Sequence, residues 1–86
     1  MKVEWDRRAL DDFREFQAKQ PKLAARIVSL IADIKEHPFT GLGKPEPLRF
    51  DYAGCWSRRV DQQHRLVYQV QGDTLTVLRC RWHYKP

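Results

Sequence analysis

Hydrophobic and polar residues are arranged with two different periods in this chain. At the start, apolar Val3 and Trp5 alternate with charged Lys2 and Glu4, which predicts a short strand. Asp6 then offers a carboxylate as N-cap for a helix beginning at Arg7. Leu10, Phe13 and Phe16 recur every three residues as one apolar stripe, with Asp11, Asp12, Arg14 and Glu15 on the wet side. Gln20-Pro21 ends this helix, because the residue before a proline is pushed out of helical geometry. Pro21 suits the first turn of a second helix, in which Leu23, Ile27, Leu30, Ile31 and Ile34 recur until His37-Pro38 closes it. Both stripes read as core, since so short a chain has few other apolar faces with which to cover a sheet.

Residues 39–47 read as a loop, with Gly41, Gly43, Pro45 and Pro47 as its punctuation. It lacks the order of a phosphate-cradling nucleotide loop. Period two then takes over. Residues 48–52 are predicted as a strand, Ala53-Gly54 as a turn, and residues 56–61 as a second strand. A third runs over Arg65–Gln71, Gly72-Asp73 turns the chain, and residues 74–83 form the last. Strict alternation puts Leu66, Tyr68 and Val70 on one face of the third strand and Leu78, Cys80 and Trp82 on one face of the last. Arg65, with Arg79, Arg81 and His83, then looks out from the opposite side.

Eighty-six residues make one domain, over residues 1–86. No apolar run approaches the roughly 20 residues of a membrane span, and residues 1–6 lack an apolar signal core, so a cytoplasmic protein without membrane attachment is expected. Charge changes the picture more. Sixteen Lys and Arg stand against 11 Asp and Glu, a net of +5. Residues 1–40 contribute +1 of this and residues 41–86 contribute +4, so the excess sits with the strands. A basic face suits nucleic acid or an acidic protein partner. Cys55 and Cys80 lie apart without CxxC spacing, and His37, His64 and His83 are scattered. No metal and no cofactor is expected, and Cys80 reads as a small apolar filler.

The candidate chemistry lies between residues 44 and 84. Glu46 stands between two prolines that stiffen its backbone, and it is the one carboxylate in a constrained loop beside the basic strands. Cutting RNA with side chains alone requires a base for the 2′-hydroxyl proton, a cation for the charge growing on phosphoryl oxygens, and an acid for the departing 5′-oxygen. Glu46, Arg65 and His83 are suited to these roles in that order. Trp82 and Tyr84 add aromatic surface for an unpaired base. Each residue also has a plainer reading as a turn glutamate, a strand arginine or a strand-end histidine, and spacing does not show that they converge.

The segments Gly41-Leu-Gly-Lys-Pro-Glu-Pro-Leu48, Trp56-Ser-Arg-Arg-Val60, His64-Arg-Leu-Val-Tyr68 and Cys80-Arg-Trp-His-Tyr84 closely resemble the YoeB (Txe) family of the RelE/ParE toxin superfamily, in register along essentially the whole chain. The resemblance implies an α+β, microbial RNase-like fold with two N-terminal helices on a four- or five-stranded, mainly antiparallel sheet. It implies a toxin that cleaves messenger RNA in the ribosomal A site and stops translation, neutralised by a YefM-type antitoxin; a homodimer is also to be considered. By the same resemblance Glu46 is the general base, Arg65 the transition-state cation, His83 the general acid, and Tyr84 a substrate-positioning residue. Arg59, Arg49, Lys44 and Arg81 are expected on the substrate side; many relatives have lysine where Arg49 stands.

Many relatives end at the tyrosine, whereas Lys85 and Pro86 follow it here. Strict alternation also places Tyr84 opposite His83, so either the strand ends at Trp82 or Tyr84 acts from the edge. The rival function, that of the gyrase-directed ParE branch, is inhibition by binding a protein target. Antitoxin could cover the site or displace residues 80–86.

Overall fold

The chain opens with a strand because its N-terminal backbone finds a parallel partner in the last strand. The computed structural model describes residues 1–83. Strand β1 (Lys2–Trp5) is followed by helices α1 (Arg7–Lys19) and α2 (Pro21–Glu36), then β2 (Glu46–Pro47), a 3₁₀ turn (Phe50–Tyr52), β3 (Trp56–Arg59), β4 (Arg65–Gln71) and β5 (Thr74–Trp82). The sheet order is β1-β5-β4-β3-β2, with β1 parallel to β5 and the other pairs antiparallel. Asp6 caps α1 by accepting the Arg8 N–H, and Pro21 opens α2, as the residue types predict.

The helices bury one face of the sheet. Ala9 and Phe16 of α1 and Ala24, Ile27, Leu30 and Ile34 of α2 pack on Leu66, Tyr68, Leu75, Val77 and Cys80. Burial drives the Cys80 thiol up to about 12, with the nearby Asp12 charge adding to it, so this cysteine is an apolar filler. A second, smaller cluster joins Leu48, Cys55 and Val67 with Tyr52, Leu78 and Trp82. Val67 sits between two residues of the main core in β4, so this cluster lies on the other side of the sheet.

Three expectations are corrected. Residues 48–52 do not form a strand; the pairing falls earlier, at Glu46 with Ser57 and Pro47 with Trp56. Beyond it Phe50 has φ +57°, and Tyr52 N–H returns to the Arg49 carbonyl, which curls the segment into a turn. The strand predicted over residues 56–61 stops at Arg59. Val60 N–H bonds the His64 carbonyl, and the Asp61 carboxylate takes the N–H groups of Gln63 and His64, closing a turn there.

The third correction concerns the faces of β5. Tyr68 pairs with Val77, Val67 with Arg79 and Arg65 with Trp82, so β5 carries extra residues relative to β4. These bulges invert the alternation. Cys80 faces the helices, whereas Leu78 and Trp82 join the second cluster. Arg79 and Arg81 lean back toward the helical side, where Arg79 comes within 4.0 Å of Asp6 and Arg81 within 3.2 Å of Glu15.

One buried charge ties the glycine-rich loop to the sheet. Arg58 is fully buried in β3 and donates to Asp33 of α2, to the carbonyls of His37, Thr40 and Leu42, and to the Tyr68 hydroxyl. The Tyr68 hydroxyl in turn donates to the Pro38 carbonyl. Gly41 has φ +110°, and a Cβ there would fall 2.1 Å from Asp33 Oδ2, so only glycine fits. The Leu42 N–H, and then Arg58, hold the Asp33 carboxyl below its usual range. A depressed folded value stabilises the fold fully above the unfolded one and loses that contribution as pH falls through it. Melting temperature should therefore decline below about pH 4, and decline less steeply in Asp33→Asn. Parallel curves for the two proteins would remove Asp33 as the source.

Candidate active site

Adjacent strands bring the carboxylate and its arginine together. Glu46 in β2 pairs with Ser57 in β3, and Arg59 pairs with Arg65 in β4. Ser57, Arg59 and Arg65 therefore share the face away from the helices. Arg65 reaches across β3: its Nε donates to Ser57 Oγ at 3.1 Å and its Nη2 to Glu46 Oε2 at 2.9 Å. The arginine side chain is 13% exposed and the glutamate 50%. The fork is thus fixed from behind by a buried hydroxyl while the carboxylate stays open to solvent. Ser57 was not among the expected site residues; only the strand register shows that it backs Arg65.

Arg65 and His83 line one cleft of about 400 Å³ with Arg59, Asp61, Gln62 and Gln63. Glu46 lines another of about 400 Å³ with Pro47, Leu48 and Arg49. The Arg65–Glu46 ion pair joins the two. A phosphate over Arg65 could accordingly have a carboxylate on one side and an imidazole on the other. The His83 ring lies tilted against that of His64 at 5.3 Å, and the His64 ring lies tilted against Phe16 at 5.4 Å. His64 Nδ1 is buried and unpartnered among the described residues.

The other expected residues divide. Arg59 and Arg49 line the two clefts. Lys44 is exposed, two residues before Glu46, and lines neither of them. Arg81 is on the wrong side: its guanidinium lies 4.8 Å from the Phe16 ring centroid and bonds to Glu15, because the bulges of β5 rotate it toward α1. Tyr84 lies outside the described residues. Arg58, which holds the loop leading into Glu46, went unnoticed beside Arg59; alternation from Trp56, which packs on the helical core, would have pointed to it.

Fold and site together define an α+β toxin of the kind carried by bacterial toxin–antitoxin systems. Residues 5–84 match the family described as YoeB-like toxin of bacterial type II toxin–antitoxin system, and the chain belongs to that family. It is 48% identical to toxin YoeB of Mycobacterium bovis over 95% of this chain and 96% of that one. The YoeB/ParE toxin from Agrobacterium tumefaciens superposes with a TM-score of 0.94 at 45% identity, covering 98% and 100% of the two chains. YoeB of Staphylococcus aureus, solved as a dimer and in complex with YefM, superposes with TM-scores of 0.93 and 0.90 at 32% identity over 98% of each chain.

Proposed function

We propose that this toxin is a ribosome-dependent endoribonuclease that cleaves messenger RNA in the A site and thereby stops translation. The observation that carries the reading is the placement of Arg65, bonded to Glu46 at 2.9 Å and sharing a cleft with His83. The Glu46 carboxylate takes the proton of a 2′-hydroxyl, whose oxygen attacks the neighbouring phosphorus. Arg65, with Arg59, draws off the charge that develops on the phosphoryl oxygens. The P–O5′ bond breaks, and the imidazolium of His83 gives its proton to the leaving oxygen. Upstream RNA is left with a 2′,3′-cyclic phosphate. Arg49 meets the backbone beside Glu46, and Tyr84 belongs to the same proposal as a positioning group. Glu46 and His83 are exposed, so among the described residues nothing orders the RNA by enclosure, and that ordering is assigned to the ribosome.

An acidic antitoxin segment of YefM type that folds along the basic sheet face would cover these groups, in keeping with the Staphylococcus complex. A homodimer is proposed on the same ground, since YoeB of Staphylococcus aureus was solved as a dimer. The test is mapping of RNA 5′ ends on purified ribosomes, wild type against His83→Ala. Cuts in the A-site codon should fall by about 10²- to 10⁴-fold in the variant. Growth arrest in cells without cuts by either protein would favour inhibition by binding a protein target instead.

A further inference from the structure

Among the described residues, two other than glycine have a positive φ: Lys44 at +52° and Phe50 at +57°. They stand on either side of Glu46. L side chains enter this region at a cost that glycine avoids, and such strain persists where the surrounding structure over-determines it. At Phe50 the surroundings do so. Leu48 N–H bonds the Cys55 carbonyl, Tyr52 N–H the Arg49 carbonyl and Ala53 N–H the Phe50 carbonyl. Leu48 is anchored in the second cluster, and the Tyr52 ring sits edge-on to Trp82 at 5.5 Å.

This braced turn holds the phenyl ring in water. Phe50 is 90% exposed, against 55% for Val28, the next most exposed large apolar residue, and its ring stacks on no other among the described residues. Neither the strain nor the exposure serves packing. The residue before it, Arg49, lines the Glu46 cleft. A lone ring flanked by a cation matches what single-stranded nucleic acid requires, a π-face for a base and a charge for the adjoining phosphate. A protein partner's apolar core would call for a wider apolar patch.

We propose that Phe50 is a substrate-binding residue: its ring is the platform on which an unpaired RNA base stacks while Arg49 holds the adjoining phosphate beside Glu46. This deepens the ribonuclease reading and rests on it. Phenyl accepts the face of any base, so the contact positions RNA without choosing its sequence.

The test compares wild type, Phe50→Gly and Phe50→Trp on purified ribosomes carrying a defined messenger RNA, with melting curves and antitoxin affinity measured alongside. Glycine relieves the positive φ and removes no buried packing, so Phe50→Gly should melt close to the wild type. Its kcat/KM should nevertheless drop roughly 5- to 150-fold, the range seen when a stacking ring is truncated. Phe50→Trp should cut within a few-fold of wild type. Equal cutting by wild type and Phe50→Gly would overturn the stacking role and leave the ribonuclease reading intact. Equal loss in Phe50→Trp, a large fall in melting temperature, or unchanged cutting with weakened antitoxin binding would overturn it too. Absence of cuts by the wild type would instead remove the ribonuclease reading itself.

Discussion

Replacing Arg65 with alanine is expected to lower RNA cleavage by about 10²- to 10³-fold, the effect of deleting one preorganised donor aimed at developing charge. The guanidinium is mostly covered, and its Nε is already committed to Ser57, so its orientation is set before substrate arrives. Water refilling the space would have to reorganise around the phosphoryl oxygens during reaction. The stability cost should be small by comparison. Glu46 is half-exposed, and ion pairs with one open partner contribute about 1 kcal/mol or less. Cleavage and melting should therefore separate.

Arg65→Lys sharpens the expectation. A lysine keeps the charge but cannot span Ser57 and Glu46 with one rigid fork. It should recover part of the lost activity and no more. Initial rates on ribosome-bound message for the three proteins, each with its melting curve, would check this. An alanine variant as active as wild type would take Arg65 out of the chemistry.

The contrast between what was legible in the residues and what was not follows the range of the interactions. Both helices were readable because their ends are local: a carboxylate at Asp6 and prolines at positions 21 and 38 act within a turn. β4 was readable because Leu66, Tyr68 and Val70 recur at period two and all meet the main core. The faces of β5 were not, since a bulge is a property of the pair and leaves no mark on one strand. That single feature moved Arg81 from the substrate side to Glu15. Glu46, Arg65 and His83 were named from residue type and family resemblance. Ser57 behind the arginine and Arg58 beneath the loop become visible only once β2, β3 and β4 are in register.

Arg58 is where the largest loss of stability is expected. Arg58→Met keeps most of the buried stem and removes the guanidinium that binds Asp33, three carbonyls and the Tyr68 hydroxyl. Asp33 would lose the partner of its charge, and the three loop carbonyls and the buried Tyr68 their shared donor; removing one partner from a buried charge network costs about 3–5 kcal/mol. A domain of this size has only about 4–13 kcal/mol in total. At roughly 4–8 °C per kcal/mol the melting temperature should fall by at least about 12 °C, and thermal unfolding followed by circular dichroism would measure it. Arg59→Ala is the control: it lies next in β3 with an exposed side chain and should shift stability by no more than about 0.5 kcal/mol. A similar small shift in Arg58→Met would show that the loop is held by its glycines and prolines alone. If the expected loss appears, it should also loosen residues 37–43, whose carbonyls Arg58 gathers, and with them the approach to Glu46. Cleavage by whatever fraction of Arg58→Met still folds should then be lower than its folded population alone accounts for, because the candidate base follows a loop that Arg58 anchors from β3, the strand paired with β2.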